Sequence, residues 1–441
     1  MIRFSLVCPL YNVEPYVDAF LGSVVAQTFD PDRMQIILVD DGSTDGTPGR
    51  IDRWCAHRPE RFELIRQANG GLSRARNAGL EKCAGEWVLF PDPDDRLPRD
   101  YLAQLDKFLS RKEVAGVDII ATRRTVRDEA RGILKDTHPL KGMFDTGDRV
   151  VEMTQSTQDF VLAVNSGAVR RSAFVETGLR FDPEVRPTFE DALLVGQILL
   201  ARGSSIGICA SATYEWTRRA VGGSITQVAW QKPERYDHVF RVGYLRLLED
   251  ARSALGSVPD WAARMVLYDL QWYLRVDRKE PSPIRDLDGA VLDRLHERFA
   301  ETLAIMDPHQ ITEFDLCPDD LILTALRSFV EPQVHSLPTA RRSGLGEVLI
   351  EYEYAGETPD EQVLSDGPVE LLGADEADVL VFGRPRLRHR VIRCSVPSGT
   401  SDLTVVLNGT ARRLSPTVDE PRRSIKRFVA PLVARLRGQH S

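Results

Sequence analysis

The chain is poor in cysteine, and none of its cysteines are paired in sequence. Cys8, Cys55, Cys83, Cys209, Cys317 and Cys394 lie far apart, with no CxxC and no neighbouring histidine cluster. That spacing excludes a zinc ribbon or a disulfide framework and suits a reducing compartment. No apolar run approaches the roughly 20 residues of a membrane-spanning helix. No basic-then-apolar leader precedes Phe4, where strand-like sequence already begins. The expectation is a cytoplasmic protein without a signal peptide, at most peripheral at the inner face of the plasma membrane. No G-x-G-x-x-G follows the first apolar run, which disfavours a dinucleotide cofactor of the usual type. Cations are the minority: 57 Lys and Arg against 65 Asp and Glu give a net charge of −8. A general nucleic-acid binder is therefore not expected. Internal repeats and low-complexity tracts are absent too.

What is present is a globular composition, 42% hydrophobic and 28% charged over 441 residues, long enough for roughly two to four units. The first hundred residues alternate short apolar runs with helical periodicity. Strand-like runs occur at Phe4 to Cys8 (ended by Pro9), Gln35 to Val39, Phe62 to Arg66 and Trp87 to Phe90. Helical stretches lie between them, one expected to be capped by Ser43 or Thr44. This alternation predicts an α/β fold with a mostly parallel, Rossmann-like sheet. Beyond it the pattern loosens. Further strands are expected at Asp118 to Thr122, Ser205 to Ala210 and Thr213 to Thr217, with a helix over Thr188 to Ala201. Boundaries fall at 1–228 for a catalytic domain, 229–337 for a helical region and 343–415 for a small β-sandwich. Residues 416–441 form a basic tail. In that tail Ile425, Phe428, Val429, Leu432, Val433 and Leu436 share a helical face among arginines and lysines. This is the make-up of an interfacial helix drawn to an anionic membrane surface. Docking on the protein's own acidic surface is the rival reading.

The chemistry-bearing residues cluster where an open α/β sheet gathers ligands, beyond the carboxyl ends of its strands. The first strand runs into Pro9, Tyr11, Asn12 and Glu14, an aromatic with polar groups suited to a base and ribose. The second ends in Asp40 and Asp41, and the third leads to Asn69-Gly70-Gly71. The fourth stops in Asp92-Pro93-Asp94-Asp95. Carboxylates spaced as Asp92-x-Asp94 offer hard oxygen ligands to Mg2+ or Mn2+, ions that bind through one or two carboxylates plus substrate phosphates. Arg218, Arg219 and Ser224 form a basic Gly-Ser turn suited to diphosphate or an anionic acceptor, or a plain surface loop.

The quoted stretches resemble family 2 glycosyltransferases of the GT-A fold. They are SVxxQTF from Ser23, ILVDDGSTDGT from Ile37, NGGLSRARNAGL from Asn69, VLFPDPDD from Val88 and FED from Phe189. The resemblance implies that Asp40 holds the nucleotide base and that Arg76 lies near the nucleotide. It also implies that Asp92 and Asp94 hold the metal and the ribose–diphosphate, and that Asp191 is the catalytic base with Glu190 supporting it. Where the family often reads D-S-D-D, Pro93 removes an amide donor but keeps the carboxylate spacing. One base and one metal, with no carboxylate nucleophile, imply a single inverting displacement from a nucleotide-diphosphate sugar such as a UDP-sugar. The helical and β extensions resemble those of bacterial teichoic-acid and cell-wall polymer enzymes. That likeness implies an anionic polymer or glycan acceptor and a homo-oligomer formed through the β domain. A polyol-phosphate or nucleotidyl transferase on the same donor fold remains an alternative, as does a catalytically inactive glycan-binding scaffold.

Overall fold

In the computed structural model, residues 1–156, 159–219, 228–314, 316–317, 319–344 and 346–417 are described. Ser224 and the basic amphipathic tail beyond Thr417 lie outside them. The chain divides into two units, Met1–Met265 and Val266–Ser441, with the division falling inside the helix Asp260–Asp277.

The first unit is built on a mixed sheet. Its strands are β1 (Phe4–Leu10), β2 (Met34–Asp40), β3 (Phe62–Arg66), β4 (Trp87–Leu89), β5 (Ile119–Asp128), β6 (Ile133–Lys135), β7 (Arg149–Glu152), β8 (Gly167–Arg170) and β9 (Ser205–Arg218). The order is β3-β2-β1-β4-β8-β5-β9-β7, with β6 paired to β5. The first four strands are mutually parallel, as are β5 and β9. The pairs β4–β8, β5–β8 and β7–β9 are antiparallel. Crossover helices α1 (Glu14–Val25), α2 (Thr47–His57) and α3 (Leu72–Leu80) connect the parallel half. They are followed by α4 (Tyr101–Leu109), α5 (Arg171–Thr177) and α6 (Glu190–Arg202).

Helices on both faces explain why β1 is buried along its whole length and reads as a continuous apolar run. Pro9 does not end that strand. The ladder to β4 stops at Leu6, so Pro9 lies where β1 is bordered on one side, a position that tolerates proline. Between β1 and β4 the chain order reverses, the switch point at which such sheets open a crevice.

Two further expectations are revised. Neither Ser43 nor Thr44 caps α2. The helix starts later, after Gly46, and Asp45 Oδ1 accepts the Thr47 N–H at 2.9 Å. The runs Ser205 to Ala210 and Thr213 to Thr217 form one long strand, β9, because a register shift beside Thr122 absorbs the polar interruption.

In the second unit, helices Gly289–Ala304 and Asp320–Arg327 precede two antiparallel sheets. One orders Val334–His335, Glu347–Ala355, Arg384–Ser395 and Glu370–Val381, with Thr339–Gly344 also pairing to Glu347–Ala355. The other contains Glu361–Leu364, Leu403–Leu407 and Thr410–Leu414. Val348, Ile350, Tyr352 and Ile392 of the first share one buried cluster with Leu403, Val405 and Leu407 of the second. Two sheets closing on a common core make the expected small β-sandwich. No described helix is long and apolar enough to cross a membrane.

Candidate active site

The strand-end loops of β1 and β2 are laced together by their own polar side chains. Asn12, at φ 51°, accepts the Thr44 N–H at 2.8 Å and donates its backbone N–H to Ser43 Oγ at 3.2 Å. Glu14 accepts the Gly46 N–H at 3.0 Å through Oε2. Asp41 spends both oxygens on the next loop, accepting from Gln67 Nε2 at 2.7 Å, Gly70 N at 2.9 Å and Gly71 N at 2.8 Å. Gly42 lets the loops approach this closely. At φ +74°, a Cβ there would come within 2.8 Å of the Asn69 nitrogen. Asp40 is buried and accepts from the Ser43 N–H at 3.0 Å. Tyr11 is 48% exposed beside these ties, and Asn69 is exposed.

Arg76, on α3, is the hub of the cleft. Its side chain is 2% exposed and joins three carboxylates. Nη1 donates to Asp191 Oδ1 at 2.6 Å and Nη2 to Asp92 Oδ1 at 3.2 Å, while Glu190 Oε1 lies 3.6 Å from Nη1. The guanidinium stands 5.2 Å from the Phe181 ring centroid, an apolar floor beneath the charge. Asp92 and Asp191 are thus drawn to one cation across 99 residues of chain.

A second clamp comes from the segment before β8. Asn165 Nδ2 donates to Asp92 Oδ2 at 2.7 Å, and the adjacent Val164 N–H donates to Asp191 Oδ2 at 3.1 Å. Asn165 is in turn held by Arg124, whose Nη2 donates to its Oδ1 at 2.7 Å.

Asp94 takes the other side of the loop. Arg219 Nε donates to its Oδ2 at 2.7 Å, and that guanidinium lies 4.7 Å from the Tyr16 ring centroid. Asp95 faces inward. Its Oδ2 accepts from the Tyr214 hydroxyl at 2.6 Å and its Oδ1 from the Thr217 N–H at 2.7 Å. Tyr214 also accepts the Asp92 N–H at 3.1 Å, which fixes the loop around Pro93. Arg218, by contrast, is exposed and not drawn into this cluster.

The acids are crowded, and their protonation reflects it. Burial, then the charge of Asp191, pushes Glu190 up to about 8. Burial raises Asp191 as well, against the opposing pull of Arg76. Burial and the neighbouring Asp92 raise Asp94, and burial with Asp92 and Asp94 raises Asp95 well above the ordinary carboxylate range. A buried carboxylate with a raised pKa is a better proton acceptor than a solvated one.

Glu190 and Asp191 open α6, and the residue before them is strained. Phe189 sits at φ 80°, a conformation a bulky side chain rarely adopts. It is held by packing, with its ring 4.6 Å from that of Tyr244. Strain of this kind persists where the surroundings over-determine it, often beside reacting groups.

Asn165, Val164 and Tyr214 did not stand out in the sequence. The only signal was a polar Asn165-Ser166 pair set between apolar residues just before a strand.

The family described as "Glycosyl transferase family 2" matches residues 5–167. The minor teichoic acid biosynthesis protein GgaA of Bacillus subtilis is 26% identical over 321 residues, covering 71% of this chain and 69% of GgaA. The poly(ribitol-phosphate) beta-N-acetylglucosaminyltransferase TarS of Staphylococcus aureus is 23% identical over 248 residues. That match covers 56% of this chain and 41% of TarS. The crystal structure of S. aureus TarS 1-349 in complex with UDP-GlcNAc shares the fold at a TM-score of 0.57. It is 19% identical, and the match covers 74% of this chain and 87% of that one.

Proposed function

We propose that this chain, whose residues 5–167 match glycosyl transferase family 2, moves a sugar from a UDP-sugar to a hydroxyl of a phosphate-bearing wall polymer of the teichoic-acid type, with inversion. The observation that carries the reading is the Arg76 bridge. It brings the strand-end acid Asp92 and the helix-start acid Asp191 to one guanidinium, which supports a donor site and an acceptor site that adjoin each other. GgaA is described as a teichoic acid biosynthesis protein and TarS as a transferase acting on poly(ribitol-phosphate), which supports the choice of acceptor.

In this reading exposed Tyr11 covers the base and Asp40 orients it. Asp191, clamped by Arg76 and Val164, takes the proton of the attacking hydroxyl. A carboxylate is a weak base towards an alcohol, so transfer comes late, as the oxygen gains acidity by bonding to the anomeric carbon. Both oxygens of Asp191 are held by donors, so its position is fixed before substrate arrives. Glu190, protonated through neutral pH, can donate a hydrogen bond to the acceptor rather than compete for its proton.

The residues fit a divalent cation. Asp94 and Asp95 are raised by burial and by neighbouring acids, the repulsion a bound cation would relieve. Among the described residues no three acidic, His or Cys side chains surround a point. The ion would therefore rest on Asp94, which Arg219 holds here, and on Asp92, and would complete its shell with donor phosphates. A bound Mn2+ or Mg2+ supplies neutralisation of the charge that builds on the leaving nucleoside diphosphate.

The test is product analysis with a panel of UDP-sugars and a teichoic-acid acceptor. Release of UDP together with labelled polymer supports the proposal. Release of UMP, or transfer from a CDP-polyol instead, overturns it.

A further inference from the structure

Helix α6 carries Glu190 and Asp191 in its first turn, so the residue leading into it decides where they point. That residue, Phe189, holds φ 80° and ψ 0° with only 7% of its surface exposed. Left-handed backbone is unfavourable for a large side chain. Phenylalanine also has no side-chain oxygen with which to cap a helix. Packing has to supply what the local sequence does not.

The packing comes from Phe240–Leu245, a turn of π-helix that leads into the helix Arg246–Leu255. Single π turns are rare and recur beside functional sites. This one presents two successive residues to the Phe189 ring. Gly243 offers bare backbone: a Cβ there would come within 3.1 Å of Phe189 Cδ1 and 3.6 Å of Val185 Cγ1. Tyr244 is fully buried and meets Phe189 edge to face, with ring centroids 4.6 Å apart and planes at 81°. Phe240 backs Tyr244 in turn at 4.9 Å and 86°. The contact continues along α6. A Cβ on Gly196 would collide with Leu247, and Gln197 Nε2 donates to Asp250 Oδ2 at 3.3 Å. On the other side of Phe189, buried Arg235 donates from Nη1 to Thr188 Oγ1 at 2.8 Å.

We propose that Gly243 and Tyr244 are positioning residues for the reaction: they hold Phe189 in its left-handed conformation, and that conformation aims Asp191 at the acceptor hydroxyl. This rests on the reading of Asp191 as the base. Arg76 and the Val164 N–H hold its two oxygens, but the backbone at Phe189 sets the direction in which its side chain leaves α6. A Phe189 relaxed to negative φ would swing the first turn of α6 and carry the carboxylate off both donors. A misplacement of about 1 Å is enough to cost about a hundredfold in rate.

Two measurements on the full chain test this, calorimetric binding of a UDP-sugar and steady-state transfer from it. Tyr244→Ala lowers kcat about tenfold or more while donor affinity stays within about twofold of wild type, the split expected when only the reacting geometry is disturbed. Tyr244→Phe keeps the ring edge against Phe189 and holds kcat within about threefold of wild type. In an Asp191→Asn background, Tyr244→Ala adds no further loss, because no base remains to be misplaced. A proportional loss of donor affinity, an unchanged kcat, a Tyr244→Phe as slow as Tyr244→Ala, or the same loss repeated on top of Asp191→Asn overturns the proposal, since Tyr244 is then a core residue only. Gly243→Ala covers a folding failure of Tyr244→Ala. It removes no side chain, and alanine is the better helix former. A lowered kcat that vanishes as a further loss in the Asp191→Asn background then carries the proposal, and an unchanged kcat overturns it. Wild-type transfer by Asp191→Asn itself refutes the underlying reading instead, a result that no change at Gly243 or Tyr244 can mimic.

Discussion

Arg76 Nη1 lies 2.6 Å from Asp191 Oδ1 while Nη2 of the same guanidinium lies 3.2 Å from Asp92 Oδ1. One buried cation therefore sets the position of the proposed base and of the strand-end carboxylate together. A planar fork can do this where a point charge cannot. The acids it joins would otherwise repel one another in a partly dry cleft.

Replacing Arg76 tests that joint role. Arg76→Met leaves buried carboxylates without their counter-charge and costs about 3–5 kcal/mol of stability, read by denaturant unfolding. Arg76→Lys keeps the charge but not the fork. It retains most of the stability and still loses activity, because a single ammonium cannot serve Asp92 and Asp191 at once.

Asn165 bonds Asp92 directly, and its neighbour's N–H bonds Asp191. Asn165→Leu fits the volume but removes the amide, so Asp92 loses a donor and Arg124 an acceptor. Steady-state kinetics should show kcat falling by about tenfold to a hundredfold, as expected for about 1.5–3 kcal/mol from a charged hydrogen bond. Loss of folding cooperativity without a change in kcat would assign Asn165 to the scaffold alone.

Glu190 gives a pH prediction with a definite sign. Its carboxyl is raised to about 8 in the folded protein, first by burial and then by Asp191. The folded state therefore holds a proton that the unfolded chain releases near pH ~4. The stability this confers is complete below the unfolded value and is lost as pH rises through about 8. Melting curves of wild type should fall between pH 5 and 8.5 by an amount that Glu190→Gln does not show. Parallel curves for the two proteins would remove the assignment.

The proposed cation site at Asp94 carries its own prediction. EDTA should suppress transfer and Mn2+ restore it. Asp94→Ala should raise the Mn2+ concentration needed for half-maximal rate, because one ligand of few is lost. Full activity in EDTA would contradict this.

Much of the site was legible because carboxylates at strand ends announce themselves. A run such as Trp87-Val88-Leu89-Phe90 that stops in Asp92, Asp94 and Asp95 marks both the strand and its open end. Asp191 needed the family likeness, since acids at a helix start also serve as ordinary N-terminal charge. The clamp around them was not legible. Asn165 and Arg124 act through contacts between segments distant in sequence, and neither lies in a periodic pattern that fixes which way it points. Asp41 and Glu14 show the converse. Both look like ligand groups in sequence; in the structure Asp41 accepts from Gln67 and the Gly70 and Gly71 N–H groups, and Glu14 from the Gly46 N–H and Arg50. In the second unit, the runs Val369 to Leu372 and Val379 to Phe382 merge into the strand Glu370–Val381. The acids between them lie largely on exposed positions, and a bulge between Leu371 and Gly373 absorbs the register change.

The most direct test of the account compares donor affinity and transfer rate in Asp191→Asn. The amide keeps the shape and can still accept from Arg76, but it cannot take the acceptor's proton. Calorimetry should give a UDP-sugar affinity close to wild type, while the transfer rate falls about a hundredfold to ten-thousandfold. Transfer near the wild-type rate, or affinity and rate lost to the same degree, would contradict the assignment of Asp191 as the base.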